Sequence, residues 1–154
     1  MNFLKAMKDT GADKHAVLRP LLTPWGEKLD RTMPLPEYPR PQLVRKDWMN
    51  LNGQWNFEID QSLSGEVRGL HKADASLSGK ITVPFCPESL LSGIHTHFPE
   101  GSYLWYRRSF TVPENMWGKN ILIRFGAVDF EATVYVNGHC IGGHKGGYTP
   151  FALD

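Results

Sequence analysis

The imidazoles come first among the groups able to do chemistry. His95-Thr96-His97 sets two of them on one side of an extended segment, and His139, Cys140 and His144 follow later. Zinc sites are built from such side chains, but a structural site needs four convergent ligands. Two histidines in a loop followed by isolated ones read as exposed polar residues, so neither a metal nor any other cofactor is expected. Carboxylates are the second set: Glu88, Glu100, Asp129, Glu131 and Asp154. Acid–base catalysis by a carboxyl pair needs one acid kept protonated beside an ionised partner. This spacing couples no two of them, and turn capping or a solvated face is their expected role. The run Gly142-Gly143-His144-Lys145-Gly146-Gly147 has the composition of a phosphate cradle. That motif requires Lys-Ser or Lys-Thr after its last glycine, between a strand and a helix, whereas Tyr148 and Thr149 follow here. The run is expected to bend sharply or approach another surface closely, with His144 and Lys145 on its rim.

Aromatic residues make up 12% of the chain, enough to ask which of them stack on a ligand and which fill a core. Trp105, Tyr103 and Tyr148 are candidate platforms for stacking on a ligand. Trp48, Trp55, Phe57 and Tyr106 fall at strand spacing and are expected to pack inside, and packing is also the first reading for Trp105. Arg107 and Arg108 project to opposite faces of one strand. Arg108 falls among Leu104, Tyr106 and Phe110, where a bare charge is costly, so a carboxylate partner such as Asp129 or Asp154 is expected.

These groups need elements to hold them, and 154 residues with 41% hydrophobic and 21% charged side chains suffice for one ordinary globular domain. A (β/α)8 barrel, at about 200 residues or more, does not fit. A formal charge of +1 lacks the basic excess expected of nucleic-acid or anionic-membrane binders, and neither partner is expected. No run approaches the ~18 apolar residues of a membrane span. The two cysteines, Cys86 and Cys140, lack paired metal or redox spacing and read as free small hydrophobes. Charged residues interrupt the N-terminus too often for a secretory signal, so a reducing, cytoplasmic setting is expected.

Residues 1–46 carry no stable periodicity. Pro34, Pro36, Pro39 and Pro41 remove backbone donors and favour an extended leader. From Leu51, Gly53, Trp55, Phe57 and Ile59 alternate with Asn52, Gln54, Asn56, Glu58 and Asp60, the pattern of a strand with one wet face. Gln61–Lys80 reads as a connection with little to bury, after which Ile81, Val83 and Phe85 resume the alternation. Tyr103–Val112 and Ile121–Phe125 read as further strands. The hairpin is the sharpest local feature, because Asn137-Gly138 suits a two-residue type I′ turn between Glu131–Val136 and His139–Gly142. That turn pairs Val136 with His139, Tyr135 with Cys140 and Val134 with Ile141. Glu88–Ile94 offers at most one helical turn. Short strands between Gly and Pro turns predict an all-β antiparallel sandwich or barrel over residues 47–154.

Several pieces in fixed order then resemble a family. They are Trp48-x-x-Leu51-x-Gly53-x-Trp55-x-Phe57, Val83-Pro84-Phe85-x-x-Glu88-Ser89, Trp105-Tyr106-Arg107-Arg108-x-Phe110, Phe125-x-Ala127-Val128-Asp129, Val136-Asn137-Gly138 and His144-x-Gly146-Gly147-Tyr148-x-Pro150-Phe151. Together they resemble the N-terminal sugar-binding domain of glycoside hydrolase family 2, and the leader resembles β-galactosidase-like members. The resemblance implies a galactose-binding-domain-like jelly-roll β-sandwich that does no catalysis itself. It also implies downstream immunoglobulin-like and barrel domains, the barrel holding the catalytic carboxylates of a retaining β-glycosidase. The sandwich would lack its last strands here, leaving an open edge that invites homo-oligomer formation. Carbohydrate contacts are expected from Trp105, Tyr103, Glu100, His144, Lys145 and Tyr148, on the loops His95–Ser102 and His144–Gly147 and beside them. A stand-alone carbohydrate-binding or protein-interaction sandwich is the alternative.

Overall fold

The computed structural model describes residues 21–154. The first part of the expected leader therefore lies outside the described residues. Its remainder starts with one helical turn, α1 (Pro24–Glu27), where Thr23 Oγ1 accepts the Gly26 N–H at 3.1 Å. The leader then wraps against the first strand. Pro34 is buried, and Asn50 and Asn52 donate side-chain hydrogen bonds to the Leu35 and Pro34 carbonyls at 2.9 and 3.2 Å. Gly53, at φ +114°, accepts this close approach: a Cβ there would stand 2.5 Å from the Thr32 carbonyl oxygen.

The strands are β1 (Gly53–Asp60), β2 (Gly79–Val83), β3 (Tyr103–Arg107), β4 (Ile123–Phe125), β5 (Glu131–Val136), β6 (His139–Lys145) and β7 (Phe151–Leu153). All pair antiparallel, in the order β2-β1-β3, with β4 beside β7 and β5 beside β6. The expected all-β fold is what forms. Phe57 and Ile81, on one face of the three-stranded sheet, are 2% and 1% exposed, and Tyr106 meets Phe57 edge-on at 5.0 Å. Trp48, half-buried, meets Tyr38 of the leader edge-on at 4.8 Å.

Several details differ from the sequence pattern. Strand β3 stops at Arg107 instead of reaching Val112, because Arg108 turns inward. Its Nη1 donates to the Leu51 and Asn52 carbonyls at 3.0 and 2.6 Å. Among the described residues no carboxylate pairs with it, since two backbone oxygens at the entry to β1 already supply the partial negative charge that a part-buried guanidinium needs. In the hairpin, Val136–His139 and Tyr135–Cys140 pair as expected, but a bulge sets Val134 opposite Gly142 in place of Ile141. Gly142 allows this at φ +147°. The glycine run then continues as strand, because β6 extends to Lys145 opposite Glu131.

Residues 61–80 are no spare connection: Leu70 is 5% exposed and the segment folds onto Asp60 and Tyr135. Asp60 is accordingly buried, not on a wet face. Both cysteines are free, as expected, but exposed instead of acting as small core residues.

Candidate functional site

Asp60 holds one of the best-connected polar groups among the described residues. It ends β1, and the chain turns back over it. Ser62 Oγ donates to Oδ1 at 2.8 Å, while Oδ2 accepts the Gly65 N–H at 2.7 Å and the Trp105 indole N–H at 3.4 Å. Arg68 lies 3.5 Å from Oδ1 and 2.6 Å from Glu58. Burial pushes the Asp60 carboxyl up, but the hydrogen bonds from Ser62, Gly65, Ser64 and Trp105 outweigh it and hold the group at about 2. The carboxylate thus stays ionised and works as a buried staple. Gly65 packs against the Trp105 indole, where a Cβ would come within 2.6 Å of Cζ2.

Trp105 is half-buried in this knot, its ring 6.4 Å from that of Tyr135, which in turn stacks on His71 at 5.2 Å. Tyr135 donates to Glu66 at 2.9 Å; burial and that bond raise its pKa. Tyr103, two residues before Trp105 on the same face, is 55% exposed.

A second cluster sits at the far end of β6. His144 stacks on Phe151 at 4.5 Å, and Phe151 stacks on Phe125 at 4.7 Å. His144 Nε2 shares a hydrogen bond with Thr149 at 3.0 Å, and Lys145 pairs with its cross-strand partner Glu131 at 3.0 Å. The Gly146 N–H donates to the Phe130 carbonyl at 2.8 Å. Gly147 packs against the Asp129 carboxyl, where a Cβ would stand 2.9 Å from Cγ. Close approach is thus what the glycines serve. The turn projects Tyr148, 96% exposed, with Phe130 at 65%.

The loop 95–102 leaves β2 through a turn centred on Ser92, itself 1% exposed. Ser92 Oγ donates to the Ser89 and Pro87 carbonyls at 2.7 and 3.2 Å and accepts the Ile94 N–H at 3.0 Å. The Thr96 N–H returns to the Pro87 carbonyl at 3.1 Å. His95, His97 and Glu100 stand exposed on it. Among the described residues, no three His, Cys, Asp or Glu side chains are placed to hold a metal ion.

The candidate contacts therefore fall into separate groups: His144, Lys145 and Tyr148 on one turn, and Glu100, Tyr103 and Trp105 where the 95–102 loop enters β3. The residue pattern missed Asp60 and Ser92. Ser92 meets backbone groups, which carry no spacing signal, and Asp60 meets an indole 45 positions away, although Asp60-x-Ser62 is a common turn pair.

The model of the sugar-binding domain of the family 2 glycosyl hydrolases matches residues 70–154. The β-galactosidase of Thermoanaerobacter pseudethanolicus is 38% identical over 115 residues, covering 70% of this chain and 13% of that protein. The β-glucuronidase of Canis lupus familiaris is 32% identical over 150 residues, covering 89% and 22%. Among solved structures, the β-glucuronidase of Lactobacillus rhamnosus superposes with a TM-score of 0.58 at 31% identity, over 73% of this chain and 19% of that one. The Ruminococcus gnavus β-glucuronidase bound to D-glucuronic acid gives 0.58 at 28% identity, over 73% and 19%. The chain thus spans roughly an eighth to under a quarter of these relatives' lengths. The strands, their antiparallel pairing and this ordered similarity agree: the chain belongs to glycosyl hydrolase family 2 and carries that family's sugar-binding β-sandwich.

Proposed function

We propose that this chain is the non-catalytic N-terminal domain of a retaining β-glycosidase of the β-galactosidase or β-glucuronidase type. It comprises an extended leader to residue 46 and the sandwich from 47 to 154. Its work is to wall the substrate cleft beside a downstream barrel, which supplies the two carboxylates that displace and then hydrolyse a terminal β-glycoside. The observation that carries this reading is the exposed turn bearing Tyr148, braced by the His144–Phe151–Phe125 stack. An aromatic ring held out on a braced turn presents a face to a sugar or a neighbouring domain at little entropic cost. Carbohydrate, the immunoglobulin-like and barrel domains of the parent and a second copy of the parent are its partners. The two free thiols support a reducing, cytoplasmic setting.

The test compares the complete reading frame with this chain alone, using p-nitrophenyl β-galactoside and β-glucuronide, with the anomer of the first product followed by NMR. Hydrolysis with retention by the complete protein and none by this chain is expected. A Tyr148→Ala change in the complete protein should raise KM or lower kcat at least about tenfold, in the range of a lost aromatic contact. Hydrolysis by the isolated chain, or unaltered kinetics in the Tyr148 variant, would overturn the reading.

A further inference from the structure

We infer that a groove across the outer face of the β2-β1-β3 sheet is an oxyanion site for sulfate, phosphate or carboxylate, free or carried on a sugar. The groove, of about 290 Å3, is lined by Gln54, Asn56, Lys80, Arg107, Arg108 and Ser109, with Trp55 between the first two. Three of these are cations and none is an acid. Asn56 pairs with Lys80 on one neighbouring strand and with Arg107 on the other, so the two cations flank its amide in one row across the sheet. Their backbones stand about 9–10 Å apart, two inter-strand spacings, which lets both long side chains close on a single oxyanion.

Among the described residues, no carboxylate oxygen comes within 4.0 Å of Lys80, Arg107 or Arg108. The nearest acid along the same face of β1 is Glu58, and it is already engaged by Arg68 at 2.6 Å and the Ser78 N–H at 3.2 Å. Arg107 spends Nη1 on the Lys72 carbonyl at 3.3 Å, and Arg108 spends its own on Leu51 and Asn52. Those bonds fix the guanidinium groups without discharging them. Lys80 and Arg107, side by side on one sheet face, repel each other, and an anion between them removes that repulsion. Asn56, Gln54 and Ser109 add neutral hydrogen-bonding groups suited to the oxygens of a sulfate or the hydroxyls of a sugar.

The test titrates the full chain, labelled with 15N, with inorganic sulfate, with galactose 6-sulfate and with neutral galactose at constant ionic strength. Saturable shifts of the Asn56 and Gln54 side-chain amides are expected with both anions and not with galactose. Tighter binding of galactose 6-sulfate assigns the sugar-borne anion, and equal binding assigns the free one. Lys80→Gln and Arg107→Gln should each weaken binding by about tenfold or more, as loss of a charged hydrogen bond does, whereas Lys119→Gln should not. Lys80 is exposed at the strand surface, so its variant keeps the fold on which the comparison depends. Absence of saturable shifts with either anion, equal shifts with galactose, or unchanged affinity in the Lys80 variant would overturn the inference.

Discussion

Replacing Gly65 by alanine isolates the contact between the 61–80 segment and β3. The backbone at Gly65 lies outside the left-handed region, so alanine is conformationally acceptable there. By itself that change stabilises by about 0.4–1 kcal/mol, through the smaller entropy of the unfolded chain. The new methyl, however, enters the plane occupied by the Trp105 indole, 2.6 Å from Cζ2 and nearer still to Nε1 and Cε2. The indole is rigid and bonded to Asp60, so it moves only by lengthening that bond or by displacing the Gly65 N–H from the same oxygen. Overpacking of this kind costs about 1–3 kcal/mol. The net expectation is a destabilisation of about 1–2 kcal/mol, seen as a lower urea midpoint at unchanged m and a Tm lower by roughly 2–8 °C. In a Trp105→Ala background the obstruction is gone, and the same Gly65→Ala change should be neutral or stabilising. That reversal of sign in a double-mutant cycle is the signature of the contact. Equal destabilisation in both backgrounds, or none in either, would refute the reasoning.

Acid should loosen the same knot. The Asp60 carboxyl is held at about 2 against an ordinary 3.8, so its contribution is present above the unfolded value and is lost as pH falls through about 2. Chemical denaturation between pH 5 and 2 should show a steeper loss of stability in the native chain than in Asp60→Asn, and parallel slopes would contradict this assignment. Arg108→Met leaves the Asn52 carbonyl without its donor, while Leu51 keeps the Trp55 indole N–H at 2.7 Å. The expected cost is about 1–3 kcal/mol in urea unfolding, and a change under about 0.5 kcal/mol would show that the guanidinium does not tie the entry of β1.

Period-two alternation located β1 and β2, and Asn137-Gly138 located the hairpin, because each rests on neighbours in sequence. Asn137 and Gly138 both adopt positive φ, 51° and 83°, as the turn requires. The bulge beyond Tyr135 was hidden, since it depends on Gly142 packing against Leu153, a contact made by the distant strand β7. The pattern around Arg108 calls for a carboxylate because side chains are what a sequence displays, whereas its partners are carbonyls that every residue owns. Asp60 was assigned to water by its place in the alternation. Only the fold-back of residues 61–70 buries it. Of the candidate contacts, Tyr148 and Tyr103 are exposed, and the stacking of His144 on Phe151 goes with the pairing of β7 with β4, which no local pattern announces.

The bond from Trp105 to Asp60 spans 45 positions and joins the third strand to the first. A ribosome adding 5–20 residues each second needs about 2–9 s to travel that distance. A hairpin such as β5–β6 closes within about 1–10 μs of becoming available. During synthesis, Asp60 therefore waits with its serines and the Gly65 amide for seconds before its indole partner exists. Until then the Ser62 hydroxyl and the Gly65 amide are the partners that the following residues offer the carboxylate, and the bond that seals β1 to β3 cannot form before Trp105 is made.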